Sequence, residues 1–160
     1  MKRFVFPILA AAVLLMASCE GNKKEVDLRT DFQKSLTAED TTAMLQLTDS
    51  CMQLLKAQKI DQVLDLLVEY DDSTKSVTPI PDELRKGYEG KFKMFPVVDY
   101  ERSYYSFKEE GLNDVRYDVT FGTEEMGSPK TAYMFNPVKV DGKWYVSVKQ
   151  SSQEIDEMNR

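Results

Sequence analysis

The hydrophobic pattern changes period at Pro96, and no other feature constrains the fold as much. Upstream, apolar residues recur three and four apart, as on one helix face; downstream they alternate, as on one sheet face. Helices first and strands second describe an α+β domain, not an alternating α/β one. Four strand-like runs with short turns then predict an antiparallel meander. The first run, residues 97–108, ends at Glu109-Glu110-Gly111. In the second, residues 115–123, Val115, Tyr117, Val119 and Phe121 face one way and Arg116, Asp118 and Thr120 the other, which predicts a half-buried strand. Met126-Gly127-Ser128-Pro129 turns the chain into the third run, residues 130–140.

Asp141-Gly142 suits a two-residue type I′ hairpin, and such a turn fixes register. It sets Val140 opposite Lys143, Lys139 opposite Trp144, Pro137 opposite Val146, Phe135 opposite Val148 and Tyr133 opposite Gln150. The expected inner face therefore carries Tyr133, Phe135, Pro137, Trp144, Val146 and Val148. Met134, Asn136, Val138, Lys143, Tyr145, Ser147 and Lys149 form a mixed face expected to meet solvent.

Upstream of Pro96 the spacing predicts three helices. Thr37 with Asp40 is a weak form of the capping box, and Met44, Leu47, Cys51, Leu54 and Leu55 follow as a buried stripe. Cys51, in the middle of that stripe, reads as a small core residue. Asp61 is placed to cap a second, short helix with Ile60, Val63, Leu64 and Leu67 on its apolar face. Tyr70-Asp71-Asp72-Ser73 reads as a turn and Val77-Thr78-Pro79-Ile80 as a short extended segment. Pro81 opens the third helix with Asp82 and Glu83 in its first turn; Leu84, Tyr88, Phe92 and Phe95 make its inner face, and Pro96 stops it.

The N-terminus is an address. Lys2 and Arg3 precede an apolar run, residues 4–16, and Ala17-Ser18 leads into Cys19. Thirteen apolar residues are too few to cross a bilayer, which takes about 20. Leu14-Leu15-Met16-Ala17-Ser18-Cys19 resembles a bacterial lipoprotein signal, with Met16 where such signals usually place leucine. The resemblance implies cleavage before Cys19, lipidation of its thiol and a cell-envelope location. Glu20 after the cysteine, in place of an inner-membrane retention aspartate, favours the outer membrane. The expected layout is a signal peptide over 1–18, a lipidated cysteine and polar tether over 19–36, one domain over 37–150 and a charged tail over 151–160.

Charge and composition exclude several chemistries. Lys and Arg number 21 against 27 Asp and Glu, giving −6; loss of Lys2 and Arg3 with the signal takes this to −8. Such a chain repels phosphate backbones, so no nucleic-acid partner is expected. With Cys19 acylated, Cys51 has no intramolecular disulfide partner. The chain has no histidine, which removes Ser-His-Asp and Cys-His nucleophile pairs and the usual zinc sets. No phosphate loop, dinucleotide fingerprint or calcium loop is present. No cofactor, metal site or catalytic set is assigned.

Two stretches carry a family resemblance. Leu54-Leu55-Lys56-Ala57-Gln58-Lys59-Ile60-Asp61 leads into Val63-Leu64-Asp65-Leu66-Leu67, and Val138-Lys139-Val140-Asp141-Gly142-Lys143-Trp144-Tyr145-Val146 closes the sheet. Over residues 37–150 the order of elements resembles the nuclear-transport-factor-2-like superfamily, with its SnoaL-like and cystatin-like relatives; a cystatin-like helix-on-sheet fold is the alternative. The resemblance implies three helices on a bent four-stranded meander enclosing a cone-like cavity. It carries no catalytic residue to this chain. Asp71 and Asp72 are the carboxylates nearest the segment where enzymes of this kind often keep a base, and adjacent aspartates in a turn read as solvated.

In such a cavity, Tyr100-Glu101-Arg102-Ser103-Tyr104-Tyr105 is the one place where alternation breaks. Strict alternation puts Tyr100, Arg102 and Tyr104 on one face and Tyr105 with Phe107 on the other; a bulge near Tyr104 would reconcile the two sets. A guanidinium between two phenols could grip a carboxylate, and Tyr117 and Trp144 join these three as candidate ligand-contacting residues. The bland alternative is a surface ladder with Arg102 lying on tyrosine faces. The functional expectation is a non-enzymatic, membrane-tethered lipoprotein binding a small ligand or an envelope protein. A carboxylate- and tyrosine-dependent lyase or isomerase is the second reading, and an assembly role through the outer sheet face the third.

Overall fold

A computed structural model describes residues 27–122, 127 and 129–148. The signal segment, Cys19, Met126 and Ser128 of the expected 126–129 turn, and the charged tail lie outside those residues.

Among the described residues four helices and six strands alternate only in part: α1 (Asp31–Ser35), α2 (Ala38–Lys56), α3 (Ile60–Leu64), β1 (Leu67–Asp71), β2 (Ser76–Pro79), α4 (Asp82–Met94), β3 (Val97–Glu109), β4 (Leu112–Phe121), β5 (Lys130–Val140) and β6 (Lys143–Ser147). The strands form one mixed sheet in the order β2-β1-β6-β5-β4-β3. This corrects the expected three helices and four-stranded antiparallel meander. The chain is α+β, but its described residues hold one more helix and two more strands, one of them parallel to its neighbour.

The extra helix, α1, falls in the stretch expected to be spacer. Thr30 caps it through a full capping box with Gln33, and Phe32 and Leu36 pack on the core. Its single turn is too short to show a period. In α2 the Thr37–Asp40 capping box forms as expected. The stripe is rotated slightly: Met44, Thr48, Cys51, Met52 and Leu55 are buried, while Leu47 and Leu54 are half-buried.

Of the two added strands, β2 falls on the extended segment expected at Val77–Ile80, and β1 begins in the second expected helix. Only one turn of it forms, capped by Lys59 without a side-chain bond and not by Asp61. Leu67 leaves the helix to begin β1, which pairs in parallel with β6 through Leu67↔Val146 and Val68↔Ser147. The spacing of Ile60, Val63, Leu64 and Leu67 fits two helical turns, but the open edge of β6 offers backbone partners that outweigh the second turn. β1 then turns back into β2, with Tyr70↔Val77 and Asp71↔Ser76 opposite each other.

At the closing hairpin, Asp141 and Gly142 have φ of 50° and 78°, the type I′ signature. Val140↔Lys143, Lys139↔Trp144 and Pro137↔Val146 pair as expected. The same register continues through Asn136↔Ser147 and ends there. Phe135 and Tyr133 pair instead with Val115 and Tyr117 of β4, and the Val148 N–H donates to the Val68 carbonyl at 3.0 Å. Gln150 lies outside the described residues.

β5 changes partner at Phe135–Asn136, where Pro137 has no N–H to offer. Two asparagines fill the gap. The Asn113 N–H donates to Asn136 Oδ1 at 2.9 Å, and Asn113 Nδ2 donates to the Pro137 carbonyl at 2.9 Å. Asn136 Nδ2 in turn reaches the Gly111 carbonyl and Ser147 Oγ. These bonds bury Asn136 and Ser147, and Val138 is buried as well, on the hairpin face expected to meet solvent; Met134 and Lys143 remain exposed there.

On the opposite face one hydrophobic core joins the helices to the sheet. Met44, Cys51, Met52, Leu55, Val63, Leu64 and Phe92 meet Val115, Tyr117, Val119, Tyr133, Phe135, Trp144 and Val146. The inner-face residues of β4 and of the hairpin are thus those the alternation assigns.

Candidate functional site

Cross-strand partners share a sheet face, so the register of β3 against β4 places each candidate residue. Tyr100 lies opposite Val119 and Arg102 opposite Tyr117, all on the core face. A register shift between Arg102 and Tyr104 marks a bulge at Ser103. Beyond it Tyr104 pairs with Arg116 on the outer face, and Tyr105 returns to the core face opposite Val115. The bulge therefore removes Tyr104 from the expected triad and substitutes Tyr105.

Helix α2 supplies what meets Arg102. Its Nη1 donates to both oxygens of Asp49, at 3.2 and 3.1 Å. The Tyr117 hydroxyl donates to Asp49 Oδ1 at 2.6 Å and lies 2.9 Å from Thr48 Oγ1. A phenol has one proton and a carboxylate can only accept, so that proton points at Asp49. Burial and the neighbouring Asp49 carboxylate push the Tyr117 hydroxyl well above its ordinary range, so it stays neutral. The ring is fully buried, edge-on to Tyr100 at 5.9 Å and to Phe135 at 5.9 Å. At the far side of Tyr100, Lys56 sits 5.9 Å over the ring and pairs with Asp99 at 2.9 Å.

Carboxylate and phenol are thus engaged with one another, and the guanidinium with them through one nitrogen. Asp49 carries two donors and the Tyr117 proton is engaged by Asp49, so either group would have to leave a bond within the protein to exchange a proton with a substrate. Arg102 engages Asp49 through Nη1 alone; Nη2 and Nε make no hydrogen bond to the described residues.

Trp144 belongs to a second cluster, at the start of α2. Its Nε1 donates to Asp40 Oδ1 at 3.2 Å, and Lys139 Nζ reaches the same oxygen at 2.6 Å. Those donors and the Thr37 N–H hold the Asp40 carboxyl down to about 2. This cluster anchors the helix cap to the hairpin.

The remaining candidates are structural. Asp71 accepts from the Ser73 N–H at 2.8 Å and the Ser73 hydroxyl at 2.5 Å, which shapes the β1–β2 turn, and Asp72 pairs with Lys75 at 2.7 Å. Cys51 is fully buried, and burial pushes its thiol up to about 12. Among the described residues no three His, Cys, Asp or Glu side chains are grouped to hold a metal ion, and no helix is long and apolar enough to cross a membrane.

Sequence reasoning missed Thr48 and Asp49. The available signal was Thr48, a polar residue four after Met44 and three before Cys51, on the helical stripe that proves to be buried.

No family model matches the chain, and no curated protein does. Among solved structures, a protein described as an NTF2-like transpeptidase from Campylobacter jejuni is similar, with a TM-score of 0.41 and 15% identity over 71% of this chain and 100% of that one. A protein described as a calcium/calmodulin dependent protein kinase II association domain from Xanthomonas campestris is similar with a TM-score of 0.40 and 15% identity, covering 77% of this chain and 95% of that one.

Proposed function

We propose that this chain is a membrane-tethered, non-enzymatic binding lipoprotein of the cell envelope, carrying a nuclear-transport-factor-2-like domain. The tether reading rests on the Leu14–Cys19 pattern. The non-enzymatic reading rests on one observation: the groups that could do acid–base work, Asp49 and Tyr117, are hydrogen-bonded to each other at 2.6 Å. With Asp49 further held by Arg102, proton transfer to a substrate would first have to break bonds inside the protein. Binding requires no such step.

The test has two parts. Metabolic labelling with a palmitate analogue should mark the wild-type chain and not Cys19→Ser; an unlabelled wild type recovered in the soluble fraction would refute the tether. Small molecules that raise the unfolding temperature of the full chain should be recovered chemically unchanged after prolonged incubation. A ligand converted to product would instead establish the lyase or isomerase reading.

A second reading, attachment of an envelope protein to the outer sheet face, draws on Tyr104, Arg116 and Met134. They lie side by side across β3, β4 and β5, with Tyr104 and Met134 each 43% exposed. Site-specific crosslinking from Tyr104 in intact cells would show a partner; recovery of uncrosslinked chain alone would count against it.

A further inference from the structure

We propose that Arg102 and Tyr105 form a binding position for a small aryl carboxylate on the core-face side of β3, between the points where α2 and α1 anchor to that strand. The proposal deepens the binding reading above and rests on it.

The helical layer over β3 is interrupted. α2 reaches the strand through Lys56 on Asp99 and Asp49 on Arg102, and α1 reaches it through Gln33 on the Phe107 carbonyl and Thr30 on the Lys108 carbonyl. Between these anchor points the bulge at Ser103 brings Tyr105 onto the core face. Its cross-strand partner Val115 is fully buried, yet Tyr105 is 47% exposed. The ring therefore lies open to solvent on the core-face side of the edge strand, between the anchor points of the two helices. It is held edge-on by Phe107 at 5.8 Å, which leans on Trp144 at 6.0 Å, so the aromatic floor is fixed from below.

Arg102 is the next core-face residue along the strand, about 7 Å from Tyr105 by strand geometry. Its guanidinium is oriented by Asp49 through Nη1, while Nη2 and Nε remain without a hydrogen bond to the described residues and the side chain is 33% exposed. Nε and Nη2 of one guanidinium form a planar fork that fits the two oxygens of a carboxylate. A ring on Tyr105 and a carboxylate on that fork define the ligand. The nearby Asp49 charge tolerates a monoanion better than a dianion, which favours a carboxylate over a phosphate monoester.

The probes are phenylacetate and 3-phenylpropionate, titrated into the full chain in a neutral detergent and followed by NMR of the Tyr105 and Arg102 signals. Saturable shifts at both residues are expected with the acids and not with 2-phenylethanol. Arg102→Lys, which keeps the charge beside Asp49 but not the fork, should weaken binding at least about tenfold. Tyr105→Leu should weaken it with the fold intact, and Asp49→Asn, which removes the competing charge while retaining an acceptor for Tyr117, should tighten it about three- to tenfold. Absence of saturable shifts, or equal affinity in Arg102→Lys, would overturn the site and leave the tethered-binder reading standing. Conversion of a bound acid to product would overturn the non-enzymatic reading and leave the site standing.

Discussion

The Tyr117 hydroxyl on β4 donates to Asp49 on α2, 68 residues earlier, at 2.6 Å. This bond crosses the layer between helix and sheet, with apolar packing on either side. Tyr117→Phe keeps the ring and removes the donor, leaving a half-buried carboxylate one partner short. The expected cost is about 1.5–3 kcal/mol, the range for a hydrogen bond to a charged group. Urea denaturation with an unchanged m-value measures it; a loss below about 0.5 kcal/mol would mean that water replaces the phenol without penalty.

Gly111 lets the Tyr70 ring lie against the β3–β4 turn. A Cβ at Gly111 would overlap Cε1 of that ring and meet Cδ1 at 3.0 Å. Gly111→Ala should cost about 1–3 kcal/mol, as overpacking does. Most of that cost should vanish in a Tyr70→Ala background, since residues in contact are not additive. Equal losses in both backgrounds would place the constraint in the backbone of the turn, away from the ring.

Asp40 makes stability depend on acid pH. Its carboxyl titrates near 2 in the folded chain against an ordinary 3.8, first because Lys139 bonds to it, then because of Thr37 and Trp144. A depressed carboxylate stabilises the fold above its unfolded value, and that contribution is lost as pH falls from about 4 toward 2. The side chain is 13% exposed, so the full contribution is about 2 kcal/mol. Asp40→Asn should be less stable than wild type at pH 7 and should flatten the stability profile between pH 4 and 2. A mutant profile parallel to wild type would assign the acid sensitivity to other carboxylates.

Cys51 should be silent to thiol reagents. A fully buried thiol that titrates near 12 supplies almost no thiolate at pH 8. In the full chain, Ellman's reagent should react with Cys51 only after denaturant is added, with a rate that follows unfolding. Fast reaction under native conditions would show that α2 opens locally.

Much of this architecture was legible because local rules and the final structure agree. Asp141-Gly142 enforces its own turn, and the alternation of Val115, Tyr117 and Val119 requires one wet and one dry face. The Thr37–Asp40 box is likewise a local contact. The misreadings arose where a distant partner intervened. Leu67 and Val68 left a plausible helix for the edge of β6, and Asn136 and Ser147 were buried by bonds to one another and to Asn113 and Gly111. The break in alternation at residues 100–105 located the candidate site, but only the β3–β4 register decided that Tyr105, and not Tyr104, shares a face with Arg102.

By itself the sequence determined the change from helical to strand period at Pro96 and with it the α+β class, the inner residues of β4 and of the closing hairpin, and the absence of histidine side chains. These follow from periods of 3.6 and 2 and from which side chains exist at all. The tertiary structure decided the partners: β6 for β1, Asp40 for Trp144, and Asp49 for both Arg102 and Tyr117. A polar group entering a core must find a donor or acceptor there, and the one it finds depends on how whole elements pack, which no local window of sequence records.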